Sequence, residues 1–208
     1  CIVRFLNPHK GEVKIDGKNI KNFSRRELAP LIAYVPQTHT PTFPFSVTDV
    51  VSMGRTAYLG HFASPGHSDI EKALFCLSEV GIEHLKDRPY TELSGGERQL
   101  VMLASAIAQE PKFMLLDEPT SHLDFGNQYR LLNILKKLSM KNMGIIMTTH
   151  YPDHALSYGN QVAVLNHGTL EHTGKPQEVV TPETLRELYG LNVKIIHDEH
   201  INGCLPIL

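Results

Sequence analysis

The 208-residue sequence contains no apolar run approaching the ~18 residues of a membrane-spanning helix, and its start carries no signal-peptide pattern. The expectation is a cytoplasmic protein whose attachment to any membrane is indirect. A strong charge of either sign is missing too, since 20 basic and 22 acidic residues leave a formal net charge of −2. That balance argues against an extended nucleic-acid surface or a polybasic lipid anchor, so any bound anion must be held by local groups. Cysteine is scarce. Cys1, Cys76 and Cys204 are too few and too widely spaced for a disulfide framework or a zinc motif, and read as reduced, unpaired thiols. No internal repeat or low-complexity segment occurs. The phosphate-binding pattern Gly-x-x-x-x-Gly-Lys-Ser/Thr occurs nowhere in the sequence.

In bulk the sequence is ordinary, 41% apolar and 20% charged, enough to bury a sizeable core in one domain or one domain with a subdomain. Its twelve histidines are more than usual. The run His197-Asp198-Glu199-His200 could be imagined as a metal clip, but it lies in a polar stretch without a further ligand nearby and reads as solvated surface.

Residues 93–124 organise the chain. Ser94 followed by Glu97 is a capping box, and Leu100, Leu103, Ala104 and Ile107 recur at helical spacing, which predicts a helix beginning at Ser94. Gly95 and Gly96 in its first turn cost helix stability, so a need other than propensity favours them. An anion supplies one: helix N-termini carry unpaired N–H groups and a positive dipole end, and glycine lets a phosphate approach closely. A bare Ser-Gly-Gly-Glu would be read more simply as a capped helix with a flexible start. Phe113-Met114-Leu115-Leu116 then predicts a buried parallel strand that delivers Asp117 to the sheet edge, where an acid can hold Mg²⁺. Glu118 follows directly, points differently, and is suited to another task such as positioning a water that attacks phosphorus. Twenty-three positions separate Ser94 from Asp117, and Ser121-His122-Leu123-Asp124 comes just behind.

Together these residues resemble the nucleotide-binding subunits of ATP-binding-cassette (ABC) transporters. Leu93-Ser94-Gly95-Gly96-Glu97 is similar to the family signature, Leu115-Leu116-Asp117-Glu118 to the Walker B strand, and residues 121–124 to the D-loop. The resemblance implies an α/β fold, a P-loop NTPase core of the RecA type with an inserted α-helical subdomain. Residues 1–39 and 111–208 would form the core and C-terminal elements, and residues 40–110 the helical subdomain with the signature. It also implies a strand, a Gly-rich Walker A loop and a helix ahead of the segment at residues 7–12. Because that loop's pattern does not occur, the N-terminal part is expected to be truncated, a natural degenerate ATPase being the alternative. Its amides and Lys would hold the β- and γ-phosphates, so the chain alone is expected to be inactive.

Elsewhere the sequence predicts short elements. Residues 1–6 read as the last turns of an amphipathic helix stopped by Asn7-Pro8. Val13, Ile15 and Ile20 around Asp16-Gly17 signal a hairpin, and Ser24 with Glu27 caps a short helix. Residues 32–35 form a buried strand leading to Gln37. Loops are expected at residues 38–44 and 61–67. Between them lies a short helix over residues 45–55, with a Ser cap and Gly54 as its stop. Residues 68–71 cap a helix carrying Ile70, Leu74 and Leu77 on one face and ending at Gly81. Residues 127–141 are helical with Leu131, Leu132, Leu135 and Leu138 inward, and residues 144–149 are a second buried strand ended by His150. Residues 161–174 read as a hairpin, residues 176–180 and 182–189 as short helices with Pro near their starts, and Val193, Ile195 and Ile196 suggest a strand.

The family resemblance implies roles for several of these residues. Gln37 is similar to the Q-loop glutamine, which reaches Mg²⁺ and the attacking water while its loop contacts the membrane subunit. His150, thirty-two positions after Glu118, is similar to the H-loop histidine at the γ-phosphate; alone it would read as a satisfied histidine at a strand end. Asp117 would hold Mg²⁺, Glu118 the water, and Asp124 would link two sites across a dimer. Ser94, Gly95, Gly96 and Glu97 would meet ATP held by a second copy. The implied partners are membrane permease subunits, a homodimer mate and, indirectly, a substrate-binding protein, with no nucleic acid. The place would be the inner face of the cell membrane. Residues 50–60 are similar to importer ATPases serving iron-siderophore, haem and cobalamin uptake. Two rival classes are a non-transport ABC ATPase and a non-catalytic interaction module.

Overall fold

The computed structural model describes residues 1–39, 43–60, 63–198 and 202–207. Residues 40–42 and 61–62 of the two expected loops, and Glu199 and His200 of the histidine-rich tail, lie outside the described residues. Two compact units are present, Cys1–Thr148 and Thr149–Leu208.

In the first unit, β1 (Lys14–Ile15) and β2 (Lys18–Asn19) form the expected hairpin around Asp16-Gly17. Both turn residues have positive φ, 49° and 80°, as a turn of this hand requires. Ser24 and Glu27 cap α1 (Arg25–Leu28) reciprocally. A parallel sheet follows in the order β3 (Ile32–Val35), β4 and β5. The central strand β4 (Phe113–Leu116) and the outer strand β5 (Gly144–Met147) each lie one helical crossover beyond the strand they pair with.

Helices fill the described residues between β3 and β4. Ser46 and Asp49 cap α2 (Val47–Ser52), which runs on as a 3₁₀ helix (Met53–Tyr58) toward α3 (His67–Val80) and α4 (Gly95–Ala108). Val47, Val51, Ala73, Leu77, Leu100 and Leu103 are fully or almost fully buried and join Val35 and Met114 of the sheet in one core. Helix α5 (Phe125–Met140) connects β4 to β5 and buries Leu131, Leu132 and Leu135, with Leu138 partly covered. Among the described residues no helix is long and apolar enough to cross a membrane.

Five local expectations are corrected. Residues 1–10 form turns and bends, not a helix; Phe5 and Leu6 are exposed and Arg4 has φ 59°, so no buried face repays nucleation of so short a segment. Gly54 does not stop its helix: a Cβ there would collide with the Ser105 carbonyl of α4, so the glycine permits close packing instead. The cap of α3 falls at Gly66, whose N–H donates to Asp69 Oδ2 at 3.0 Å. The buried stripe of that helix is Ala73, Cys76, Leu77 and Val80, while Ile70 is exposed. Finally, β5, one of the two edge strands among the described residues, is only half covered, with Ile146 57% exposed.

The second unit begins with α6 (Pro152–Tyr158), whose Pro stands at the first turn. Strands β6 (Val162–Asn166) and β7 (Thr169–Gly174) form the expected antiparallel hairpin, closed by His167-Gly168 with φ 47° and 79°. Helices α7 (Pro176–Val179) and α8 (Pro182–Tyr189) lead to β8 (Val193–His197), which pairs with an unforeseen β9 (Asn202–Pro206). Leu156, Val180 and Leu185 make its core. Cys204 N–H donates to Asp153 Oδ1 at 2.6 Å, and burial together with that carboxylate pushes the Cys204 thiol up to about 11. Cys1, Cys76 and Cys204 are all unpaired.

Candidate active site

Strand β4 can be apolar throughout because it is central, and its chain emerges into polar surroundings only at Asp117. The Asp117 N–H donates to the Val35 carbonyl at 2.9 Å, continuing the ladder one step, and the Thr148 N–H donates to the Leu116 carbonyl at 3.0 Å. The carboxyl ends of three strands thereby gather Gln37, Asp117, Glu118 and Thr148. Asp117 Oδ1 accepts from the Thr148 hydroxyl at 2.7 Å, while Tyr34 Oη stands 3.4 Å from Oδ2. Burial, then the nearby Asp117 charge, pushes the Tyr34 phenol up.

Glu118 is held differently. Its φ is 42°, in the left-handed region, which costs a non-glycine residue about 1–3 kcal/mol and persists only where neighbours fix it. Those neighbours are present. The Glu118 N–H donates to Thr148 Oγ1 at 2.9 Å, and the Glu118 carbonyl accepts from the Ser121 N–H at 3.1 Å and from the Ser121 hydroxyl at 3.0 Å. At the far end of the side chain, Glu118 Oε2 accepts from Gln37 Nε2 at 2.9 Å. Gln37, expected beside the metal and water, thus touches the second carboxylate directly, across 81 positions of sequence.

Helix α4 begins as its sequence predicts. Ser94 is the cap; its Oγ accepts from the Glu97 N–H at 3.3 Å, and its own N–H and hydroxyl each donate to Glu97 Oε2 at 2.8 Å. The Ser94 N–H, and then its hydroxyl, hold the Glu97 carboxyl below the usual range. Gly95 is exposed, and a Cβ built on it would meet nothing within 4 Å, so backbone approach from solvent is unobstructed. Gly96 has an internal reason as well: a Cβ there would stand 3.2 Å from Leu123 Cδ2, so glycine lets the helix start lie against residues 121–124. Gly95 also lines a cleft of about 410 Å³ with Gln37, His39, Arg98, Gln99 and His122. Within it, Gln99 is 5% exposed and its Nε2 has no partner among the described residues.

Asp124 caps α5. Its Oδ1 accepts from the Asn127 N–H at 2.9 Å and its Oδ2 from Asn127 Nδ2 at 2.7 Å, and these bonds, in that order, hold its carboxyl low. His150 belongs to the second unit, where its carbonyl accepts from Tyr189 Oη at 3.2 Å. Two residues at the strand ends, Thr148 and Tyr34, are legible in the sequence only as strand residues, and Ser121 only as part of the segment similar to the D-loop, not as the partner of the Glu118 carbonyl. Thr148 and Tyr34 have residue types common in strands, so no sequence signal set them apart.

The protein family described as ABC transporter matches residues 1–121. An uncharacterised ABC transporter ATP-binding protein of Haemophilus influenzae is 43% identical over 94% of this chain and 74% of its own length. A molybdate import ATP-binding protein of the same organism is 39% identical over 79% of this chain and 65% of its own length. An iron(3+)-hydroxamate import ATP-binding protein of Bacillus subtilis is 33% identical over 96% and 74%. Among solved structures, a transporter assigned to the metal-chelate ABC type, in an inward-facing conformation, superposes with TM-score 0.79 at 36% identity, covering 86% of this chain and 72% of that one. The dimeric ATP-binding cassette MJ0796 bound to ADP and Pi gives TM-score 0.71 at 28% identity, covering 81% and 75%. With its signature helix, acid-tipped central strand and these matches, the chain belongs to the ATP-binding proteins of ABC transporters, a family that binds ATP.

Proposed function

We propose that this chain is the ATP-hydrolysing part of an ABC importer, working as a head-to-tail homodimer in which residues 94–97 of one copy meet the triphosphate held by the other. The observation that carries the reading is Glu118, a carboxylate fixed in a strained backbone conformation and hydrogen-bonded to Gln37 beside Asp117. Such strain is retained where a group must be aimed.

In this reading Glu118 accepts a proton from the attacking water, and Gln37 directs the Glu118 carboxylate toward it. Asp117 offers hard oxygen donors at a strand end, with Oδ1 fixed by a hydroxyl; that suits Mg²⁺, which takes one or two carboxylates alongside water and phosphate oxygens. Mg²⁺, when bound, would neutralise charge on the phosphates, and Asp117 and Gln37 are the residues proposed to hold it. Gly95, Gly96 and Ser94 would bring backbone amides and a hydroxyl to the γ-phosphate as the dimer closes, Glu97 yielding the Ser94 hydroxyl. His150 is assigned the γ-phosphate and Asp124 the link between the two sites. Hydrolysis removes the bridging phosphate, and the dimer opens.

The core at residues 1–39 and 111–208, with a helical subdomain at residues 40–110, is the domain arrangement this reading uses. Permease subunits would dock near Gln37 and the helical subdomain, placing the protein on the inner face of the membrane, with a substrate-binding protein as an indirect partner. Iron(3+)-hydroxamate and molybdate import by relatives supports a metal-containing cargo, an iron-siderophore, haem, cobalamin or a related species. The test uses a form extended to carry a Walker A loop. Glu118→Gln should abolish turnover while ATP-driven dimers accumulate, and Ser94→Arg should prevent dimerisation. A normal rate in the first, or normal dimers in the second, would refute the reading.

A further inference from the structure

We propose that Thr148 is a positioning residue of this site: one hydroxyl fixes both the Asp117 carboxylate and the left-handed backbone of Glu118, and thereby sets where the Glu118 side chain points. The inference rests on the hydrolytic reading for its effect on turnover, but its structural half stands apart from that reading.

A threonine hydroxyl has one hydrogen to give and lone pairs to receive with. Thr148 uses both functions on adjacent residues, donating to Asp117 Oδ1 at 2.7 Å and accepting from the Glu118 N–H at 2.9 Å. Its own backbone is locked to the sheet through the Leu116 carbonyl, so the hydroxyl occupies a fixed point at the strand ends. Its β-branch restricts χ1, which adds to that rigidity. Asp117 continues the ladder, and Glu118 is where the chain must turn out of it with φ 42°. Ser121 restrains the carbonyl side of that turn, whereas Thr148 restrains the amide side. Without the hydroxyl, the Glu118 amide loses this acceptor and the backbone can relax toward the extended region. Relaxation would swing the carboxylate off Gln37 Nε2, now 2.9 Å away.

Thr148→Val keeps the shape and the β-branch but removes the hydroxyl, and Thr148→Ser restores it. Thr148 is exposed, so neither change disturbs the core. In the 208-residue chain labelled with ¹⁵N, exchange protection of the Glu118 amide is expected to fall about five- to tenfold in Thr148→Val and to be retained in Thr148→Ser. In a form carrying a Walker A loop, Thr148→Val is expected to lower kcat by roughly ten- to a hundredfold, as loss of an orienting partner does, and Thr148→Ser is expected to remain active. Unchanged amide protection in Thr148→Val overturns the proposal. So does an unchanged kcat in Thr148→Val under conditions where Glu118→Gln is inactive. If Glu118→Gln itself keeps the normal rate, the hydrolytic reading fails, and the amide measurement alone decides whether Thr148 holds the backbone.

Discussion

Replacing Arg55 by Met would test how the helix that carries Ser94 is anchored at its other end. Arg55 Nε pairs with Asp69 Oδ1 at 3.2 Å, and the two side chains are 15% and 14% exposed. Its Nη1 donates to Glu110 Oε2 and to the Ala108 carbonyl, both at 2.8 Å, and its guanidinium lies over the Tyr58 ring. These bonds tie the 3₁₀ helix and α3 to the C-terminal end of α4. Glu110 is half exposed and keeps Lys72 at 2.5 Å, so losing Arg55 costs little there. The loss falls mainly on Asp69, which retains the Gly66 N–H but is left without its charge partner in a mostly buried position. Breaking a buried pair costs about 3–5 kcal/mol, and the residual exposure and surviving amide bond lower that to roughly 2–3 kcal/mol. For a chain of this size the unfolding midpoint should drop by about 5–10 °C, read by circular dichroism. The Glu110 carboxyl is held below its ordinary range, mainly by Lys72 and further by Arg55. A depressed folded pKa stabilises above the unfolded value and is lost as pH falls through the folded one. Only the small part of the gap that Arg55 supplies through Glu110 should therefore be lost below about pH 4, so the difference between parent and Arg55→Met should change little with pH. A loss under about 0.5 kcal/mol at neutral pH, ordinary for a surface change, would refute the anchoring argument.

Two glycines should separate packing from function. Gly54→Ala forces a methyl against the Ser105 carbonyl and should destabilise by about 1–3 kcal/mol in urea unfolding, whereas Gly95→Ala, with open space around it, should leave folding nearly unchanged and weaken ATP-driven dimerisation in a form carrying a Walker A loop. Equal loss of stability in both would contradict this division. The 208-residue polypeptide by itself, without the Gly-x-x-x-x-Gly-Lys-Ser/Thr pattern, is expected to show negligible Mg-dependent ATP turnover, and robust turnover in a phosphate-release assay would contradict that.

What could be read in advance was local. The start of α4 follows from Ser94 and Glu97 three positions apart, and the emergence of Asp117 follows from four apolar residues ending in an acid. Gly54 looked like a helix stop because nothing nearby in sequence reveals Ser105, its neighbour in space. Strand β9 was hidden by Gly203 and Pro206, residues that argue against a strand unless a partner such as β8 supplies the pairing. Thr148 was hidden for a related reason: its hydroxyl matters only because β4 and β5 end side by side, which no local pattern encodes.

In the proposed dimer each hydrolytic site draws Glu118 from one copy and Ser94 from the other. Mixing Ser94→Arg and Glu118→Gln proteins, both in a form carrying a Walker A loop and each inactive alone, tests it directly. One of the two sites in a mixed dimer would then combine an intact Glu118 with an intact Ser94, so mixing should restore ATP hydrolysis. If activity stays absent at every mixing ratio, although mixed dimers form, the two residues do not serve one site from separate copies.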